Sequence, residues 1–262
     1  MIRFFRNIRQ KLAAENKMAK YLRYASGEIL LVVIGILIAL QINNWNELRK
    51  ERLTEIKYLK NLQLDLKTDL VNLDSMMVDR QNKVASGIIL LKLQPPTTIV
   101  QLTAFDSLLW NVYRWTSYTP RTNTFDELIS SGSLNTIKND SIKSYLLSIS
   151  EKNEKITIQR EHMRHEYDKY LYDRSWPILE IKPFLDIEKT IDKGKFINIK
   201  LSNEKRLQIA SQDAIFLKDM IIRNGLKLAI FNNFLILKKY DIIYAEIEKL
   251  LKFIDEDVNE IP

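Results

Sequence analysis

Ile29 to Leu40 form an uninterrupted run of twelve residues without a polar side chain, ILLVVIGILIAL. As an α-helix this run rises only about 18 Å, less than the roughly 30 Å hydrocarbon core of a bilayer. A helix over residues 24–45 would be about 33 Å long, which is enough, and aromatic residues stand at both of its ends as they do at membrane interfaces. The sequence therefore predicts an N-terminal transmembrane helix over residues 24–45, anchored by Ile29, Val33, Gly35, Ala39, Leu40 and Trp45.

Two other interpretations account for a short apolar run. A cleaved signal peptide would have a shorter basic region than the 28 residues that precede this run, and a small-x-small cleavage site would follow Leu40. A buried helix of a soluble core fits the length of the run but not the basic and aromatic residues that flank it. We keep both as alternatives to the membrane span.

The net charge of +7 is concentrated at the N-terminus. Residues 1–28 hold seven basic and two acidic side chains, so the other 234 residues carry a net charge of only +2. A DNA-binding domain concentrates its charge on the folded part, so no nucleic-acid partner is expected. A short basic tail resists translocation, whereas long domains cross largely regardless of charge. Residues 1–23 are thus predicted to be a basic amphipathic cytoplasmic tail, and residues 46–262 an extracytoplasmic helical domain.

Two stretches of the chain resemble a known family. Lys20–Lys50 reads KYLRYASGEILLVVIGILIALQINNWNELRK, and Phe125–Asp140 reads FDELISSGSLNTIKND. The first resembles the GEILLVVIGILIALQINNWNE-type N-terminal signature of an uncharacterised bacterial family of single-span membrane proteins, and the second resembles that family's other recurring segment. The resemblance implies a protein of the bacterial inner membrane, whose C-terminal domain would be periplasmic given the predicted orientation. It implies no activity and no functional residues.

The rest of the chain is predicted to be all-α. Glycine and proline, which supply tight turns, number only six each, so long helices with few connections are expected. One apolar row at helical spacing is predicted to continue the span as a single rod and to end at Pro95-Pro96. The expected architecture is an antiparallel bundle of long, coiled-coil-like helices. The row consists of Leu59, Leu62, Leu66, Leu70, Leu73 and Met77, with Val84, Ile88 and Leu91 as its extension.

Local signals predict the elements that follow. Thr98 is placed to cap a second helix, and a short helix over residues 126–131 should end at Gly132, which takes a left-handed conformation at little cost. Asn139 or Ser141 should begin a long helix towards Arg174. Residues 176–201 are predicted to be an irregular connection. The alternation of Ile197, Ile199 and Leu201 is the single strand signal within it.

The C-terminal stretch carries a heptad pattern. Asn224 is its polar exception, a residue type that fixes register in coiled coils, and Asn224-Gly225 could instead break the stretch into a helical hairpin. The pattern predicts a seam that is buried within the chain or against a second copy. The seam consists of Leu207, Ala210, Ala214, Leu217, Ile221, Asn224, Leu228, Phe231 and Leu235, and it resumes at Ile243, Ile247, Leu250 and Ile254.

Three groups of residues are candidate sites. Glu161, His162, His165 and Glu166 could share a metal at helical spacing, but a solvated charged face explains them better, and no metal or cofactor is expected. Asp126, Glu127, Ser131 and Asn135 surround a glycine, as in a helix-capping turn or a ligand-binding loop. Trp110, Tyr113, Trp115 and Tyr118 fill a core or form a binding platform.

The function classes that remain are few. The chain has no cysteine, no nucleophile elbow and no phosphate-binding loop, so no enzyme is expected. We expect a membrane-anchored module that binds a partner protein or ligand as a sensor-like or scaffold element. The alternative is a membrane-bound hydrolase with a site of scattered carboxylates. The expected partners are the lipid bilayer, an unknown protein, and a second copy through the Gly35/Ala39 small-xxx-small motif or the heptad seam.

Overall fold

The computed structural model describes residues 18–180, 191–192, 195–196, 204, 207 and 210–259. The chain divides into two compact units, residues 1–58 and 59–262. The first helix, α1 (Met18–Lys92), is continuous over 75 residues, so the predicted span and the apolar row after it belong to one helix. The fold is almost wholly helical, which confirms the all-α prediction.

In the first unit no side chain of the apolar run is buried. Its leucine, isoleucine and valine side chains are between 46 % and 71 % exposed from Ile29 to Leu40. An 18-residue window of this helix has a mean hydropathy of 2.3 and no buried residue, so the run is not a core helix of the described chain. By length and composition alone, two described helices could cross a membrane. One is this helix, and the second is Met220–Asn259, in which 39 % of the most apolar 18-residue window is buried.

In the second unit α1 ends at Lys92, before Pro95-Pro96, as predicted. Leu59, Leu62, Leu66 and Leu73 of the predicted row are buried. The predicted extension of the row is wrong, since Ile88 is 40 % exposed while Arg80, Lys83 and Leu90 are buried instead. Beyond Leu73 the inner face of α1 therefore holds charged side chains, from Asp79 to Lys83, before an apolar residue is buried again at Leu90.

The predicted caps are confirmed in the next three helices. Helix α2 (Ile99–Tyr113) begins with a capping box between Thr98 and Gln101. Helix α3 (Asn123–Ser130) is followed by Gly132, whose φ of 68° is the left-handed conformation expected of it, and by a 3₁₀ turn at Ser133–Thr136. Helix α4 (Asp140–Tyr167) is capped by Asn139, whose side chain accepts from the amides of Ser141 and Ile142.

Helix α4 continues through a π-helical turn, Asp168–Tyr172, into a last α-helical turn, Asp173–Ser175. Two-residue strands, β1 (Ile191–Asp192) and β2 (Lys195–Phe196), pair antiparallel. The predicted strand at residues 197–201 lies outside the described residues, as does most of the connection over residues 176–201 and the basic tail up to residue 17.

The last two helices are α5 (Ala210–Lys218) and α6 (Met220–Asn259). The chain is not broken at Asn224-Gly225, which lies inside α6. The interruption falls at Asp219, whose carboxylate accepts from the amides of Ile221 (2.9 Å) and Ile222 (3.1 Å) and so caps α6.

The heptad seam is displaced from the core of α6 by one residue. The core face includes Ile222, Leu226, Ala229, Ile236 and Tyr240, whereas Ile221 and Phe231 of the predicted seam are 44 % and 57 % exposed. Asn224 is also exposed, and the buried asparagines are Asn232 and Asn233. The continuation of the seam is confirmed, because Ile243, Ile247, Leu250 and Ile254 are all fully buried.

Contacts along α6 show that it runs antiparallel to both long neighbours. Towards α1, Gln63 binds Asp255 at one end, and Arg223 binds the carbonyl oxygen of Leu91 at the other. Towards α4, Asn139 binds Asp257, Lys152 binds Glu246 and Asn232 binds Glu166. Helix α2 folds back onto the end of α1, where Asn111 binds Ser86.

Candidate functional site

The most distinctive site in the second unit is a set of buried charges on α1, which we call the clamp: Asp65, Asp69, Asp79, Arg80 and Lys83. The last four are between 1 % and 6 % exposed. A buried charge is costly unless it is paired and hydrogen-bonded. The partners here come mainly from the chain between the end of α2 and the start of α3, residues 111–124, which we call the clamped loop.

At one end of the clamp, Lys83 binds the end of α2. Its ammonium donates to the carbonyl oxygens of Asn111 (3.0 Å) and Arg114 and lies 3.5 Å from the Asp79 carboxylate. The last carbonyl groups of a helix lack intrahelical partners and carry partial negative charge, so a lysine stabilises this end. Burial lowers the pKa of Lys83 to about 8, although Asp79 opposes the effect.

Asp79 binds both the guanidinium of Arg114 and the hydroxyl of Thr116. Burial alone would raise the pKa of Asp79, but the hydrogen bond from Thr116, the charge of Lys83 and the contact with Arg114 outweigh it, and the pKa is lowered. The carboxylate therefore stays ionised although it is buried, and it holds the loop by charge-assisted hydrogen bonds.

Arg80 joins the clamped loop to two further helices. Its guanidinium donates to the Thr116 carbonyl oxygen and to the Asn233 side-chain oxygen, both at 2.7 Å. The Asn233 amide in turn donates to the Tyr167 hydroxyl of α4 (3.0 Å) and to the Ala229 carbonyl oxygen (2.7 Å). A single buried cation thus fixes α1, α4, α6 and the loop together, which makes this network sensitive to the loss of any member.

At the other end of the clamp, two carboxylates one turn apart bind the start of α3. Asp65 accepts from the amide (3.2 Å) and the hydroxyl (2.6 Å) of Thr124, and Asp69 accepts from the amide of Arg121 (2.9 Å). Negative charge is favourable at a helix N-terminus. Burial raises the pKa of Asp69 to about 6, although the hydrogen bond from the Arg121 amide opposes the effect.

An aromatic cluster of Tyr113, Trp115, Tyr167 and Tyr172 packs against the clamped loop. The Trp115 ring meets Tyr167 edge-on at 5.5 Å, and the Tyr113 ring meets Tyr172 at 5.5 Å. The guanidinium of Arg164 lies 5.0 Å from the Trp115 ring and 5.3 Å from the Tyr172 ring. Its position over two rings is a cation–π contact that fastens the loop to α4.

The predicted aromatic residues are thus divided between different roles. Trp115 belongs to the cluster, and Tyr118 is buried with its ring 5.6 Å from Tyr240. Trp110, by contrast, is 55 % exposed on α2, so it does not fill the core.

The predicted polar segment is a capping turn in the structure. Asp126, Glu127, Ser131 and Asn135 are all exposed. The Ser131 hydroxyl donates to the Glu127 carbonyl oxygen (2.6 Å), and the Thr122 hydroxyl donates to the Asp126 carboxylate (2.6 Å). These contacts are local, so they explain the residue types without a ligand. A binding role for this segment stays a prediction.

One residue of the histidine motif, Glu166, contacts another helix, whereas Glu161 and His162 are exposed. His162 lies 3.2 Å from one Glu166 oxygen, and the Asn232 amide of α6 donates to the other. His165 is exposed. Among the residues that the structure describes, no three histidine or acidic side chains are grouped to hold a metal ion.

The clamp is the feature that sequence reasoning missed. A charged residue in an amphipathic helix ordinarily faces solvent, so helical periodicity does not single out the clamp residues as buried. The available signal was the gap in the predicted apolar row between Met77 and Val84, where Asp79, Arg80 and Lys83 stand.

Comparison with known proteins gives one match. A family model matches residues 28–222, about three-quarters of the chain, and describes a family of unknown function, DUF6090. The matched residues include the apolar run, the clamp and helices α2 to α5. No curated protein and no solved structure matches the chain.

Proposed function

Since the chain belongs to the DUF6090 family, a family of unknown function, we propose from its own residues that it is a single-span membrane protein whose helical unit binds a partner protein. The observation that carries the proposal is the unburied apolar run from Ile29 to Leu40. The proposed span is residues 24–45, with residues 1–23 in the cytoplasm and the helical unit in the periplasm of a bacterial inner membrane.

The cost of leaving this run in water supports the membrane assignment. A leucine, isoleucine or valine gains roughly 1.5–3 kcal/mol on full burial, so one that is half exposed forgoes about 1 kcal/mol. The run contains ten such residues, for a total on the order of 10 kcal/mol. This total rivals the whole stability of a typical domain, roughly 5–15 kcal/mol. Lipid is the cover that fits best the length of the helix over residues 24–45 and the basic and aromatic residues that flank the run.

The orientation rests on the basic tail and has a direct test. A reporter that is active only outside the cytoplasm is expected to work when it is fused after Pro262 and to fail when it is fused before Met1. The reverse pattern would contradict the proposed topology and the periplasmic location of the helical unit.

The binding role rests on apolar side chains of α6 that the core does not use. Phe231 and Phe234 are 57 % and 42 % exposed, and exposed aromatic patches mark interaction surfaces. A photoreactive residue at position 231 should crosslink to protein in intact cells, whereas the same residue at the exposed Lys249 should not. Equal crosslinking at both positions, or none at either, would count against a binding surface here.

The hydrolase alternative gains no specific support. The clamp carboxylates Asp65, Asp69 and Asp79 each hydrogen-bond within the chain, where they hold the loop.

A further inference from the structure

Helix α6 carries a second apolar face outside the core. We call it the α6 stripe: Ile221, Leu228, Phe231, Leu235 and Ile242. Ile221, Phe231 and Ile242 are 44 %, 57 % and 52 % exposed, and Leu228 and Leu235 are partly exposed. The core face of the same helix is buried without them, since Ile222, Leu226, Ala229, Ile236 and Tyr240 are at most 3 % exposed. The stripe is thus apolar surface that the described unit leaves open.

The spacing of the stripe specifies the shape of what covers it. Ile221, Leu228, Leu235 and Ile242 recur at seven-residue intervals, and Phe231 lies three residues after Leu228. A seven-residue repeat drifts by about 20° per heptad on a straight α-helix, so it forms a continuous seam only with a helix that supercoils around it. The stripe therefore fits a helix with a heptad repeat of its own rather than a flat surface.

Two polar residues, Asn224 and Lys238, occupy the heptad positions equivalent to Phe231 and indicate which helix covers the stripe. Asn224 occupies the position equivalent to Phe231 one heptad earlier and is exposed. One asparagine in an apolar seam favours a parallel pair in register, because each asparagine then faces its own counterpart. Lys238, at the next equivalent position, has its ammonium 4.6 Å from the Phe234 ring, to one side of the seam. Both residues are thus compatible with a copy of the same helix.

We propose that the α6 stripe pairs with the α6 stripe of a second copy of this chain, parallel and in register. The proposal rests on the proposed function, because a shared membrane brings the two copies together. Three side chains that are about half exposed and two that are less exposed offer far less than the roughly 800 Å² per partner of a typical stable complex. Confinement of both membrane anchors to one bilayer raises the effective concentration of each copy around the other. Short flexible linkers have the same effect on two joined modules and give effective concentrations of about a millimolar. A small heptad interface is sufficient under those conditions.

The chain has no cysteine, so single-cysteine variants give a clean test with the full-length protein in its native membrane. Leu228→Cys and Leu235→Cys place equivalent sulfurs opposite each other in a parallel pair, within the distance at which disulfides form. Mild oxidation should give a crosslinked dimer with both. Asp241→Cys on α6 and Val71→Cys on α1, which are exposed outside the stripe, should give at least tenfold less.

A substitution within the stripe provides the second arm. Phe231→Glu places a charge in the seam at a residue that is already 57 % exposed, so the fold should be retained. It should reduce the Leu235→Cys dimer at least tenfold with unchanged helicity by circular dichroism. Phe231→Leu should retain the dimer.

Three results would overturn the proposal. The first two are an absence of dimer with Leu228→Cys and Leu235→Cys, and equal crosslinking of all four single-cysteine variants. The third is a disulfide between Lys227→Cys in one copy and Asp241→Cys in a co-expressed copy, which would indicate an antiparallel pair. Crosslinking of position 231 to a different protein, without a dimer, would leave the proposed function intact and replace its partner. Loss of the protein from the membrane fraction would instead contradict the proposed function itself.

Discussion

Gly225 of α6 lies directly against Tyr170 in the π-helical turn of α4. A methyl group on Gly225 would be 2.9 Å from the Cβ atom of Tyr170 and 3.0 Å from its carbonyl oxygen. The sequence suggested a break at Asn224-Gly225, but the glycine is instead what lets two helices approach closely. The wider π-helical turn of α4 thus packs against α6 at the one position, Gly225, where α6 has no side chain.

Gly225→Ala is therefore expected to destabilise the protein. Alanine favours helices over glycine by about 1 kcal/mol, but overpacking against a backbone atom costs roughly 1–3 kcal/mol. Gly87→Ala is the comparison: its methyl group would also come close, 2.8 Å from the Cγ1 atom of Ile230, but it would meet side-chain atoms, which can shift, and no backbone. Thermal unfolding of the detergent-solubilised protein should give the lower melting temperature for Gly225→Ala. A higher melting temperature than wild type would contradict the close approach.

The loss of Arg80 should be more severe. Arg80→Met leaves the Asn233 oxygen and the Thr116 carbonyl oxygen without their donor in a buried site, so we expect a loss of about 3 kcal/mol in the free energy of unfolding. Arg121→Met, at an exposed side chain, is the control and should change stability by less than about 0.5 kcal/mol. Similar effects of both substitutions in chemical denaturation would show that the clamp does not hold the bundle.

Asp69 should leave a signature in the pH dependence of stability. Its pKa is raised from 3.8 to about 6 by burial, so the folded state binds its proton more tightly than the unfolded state does. Stability from this group is fully present below about pH 4 and is lost as the pH rises through 6. Relative to Asp69→Asn, the wild type should thus lose stability between pH 4 and 6 and change little above about 7. A constant difference across that range would contradict the burial of an ionisable Asp69.

At Asp219, between α5 and α6, substitutions can separate the contribution of a helix cap from that of an ion pair. Asp219 caps α6 and also binds Arg174, with side-chain contacts of 2.7 and 2.9 Å. Asp219→Ala removes the cap and should cost about 1 kcal/mol, whereas Asp219→Asn keeps a capping oxygen and loses only the ion pair. Arg174→Ala should resemble Asp219→Asn. An equal loss for Asp219→Ala and Asp219→Asn would mean that the ion pair, and not the cap, matters.

The boundaries of the helices were largely predictable because their signals are local. Pro95-Pro96, Thr98, Gly132 and Asn139 act through their own backbone geometry or through amides two or three residues away, and all four are confirmed. The face that a helix buries is set by distant residues, and this is where prediction failed. Helix α6 is apolar on two faces, so periodicity could not choose between Ile221 and Ile222.

The clamp was unpredictable for a related reason. Nothing near Asp79 or Arg80 in sequence indicates burial, because their partners Thr116 and Asn233 are 37 and 153 residues away. The burial of a charge depends on whether a distant loop supplies hydrogen bonds. The exposure of Trp110 likewise depends on which distant side chains pack against α2. The residue type alone does not indicate it.

The most direct test of the account is whether the apolar run holds the protein in a membrane. After an alkaline carbonate wash of native membranes, the intact protein should remain in the pellet with an N-terminus that precedes Leu40. The double variant Ile34→Asp and Leu37→Asp should be extracted, because each aspartate at the centre of a span costs roughly 2.5–3.5 kcal/mol. Recovery of most of the wild-type protein in the supernatant, or a mature N-terminus after Leu40, would contradict the membrane anchor and the proposals that depend on it.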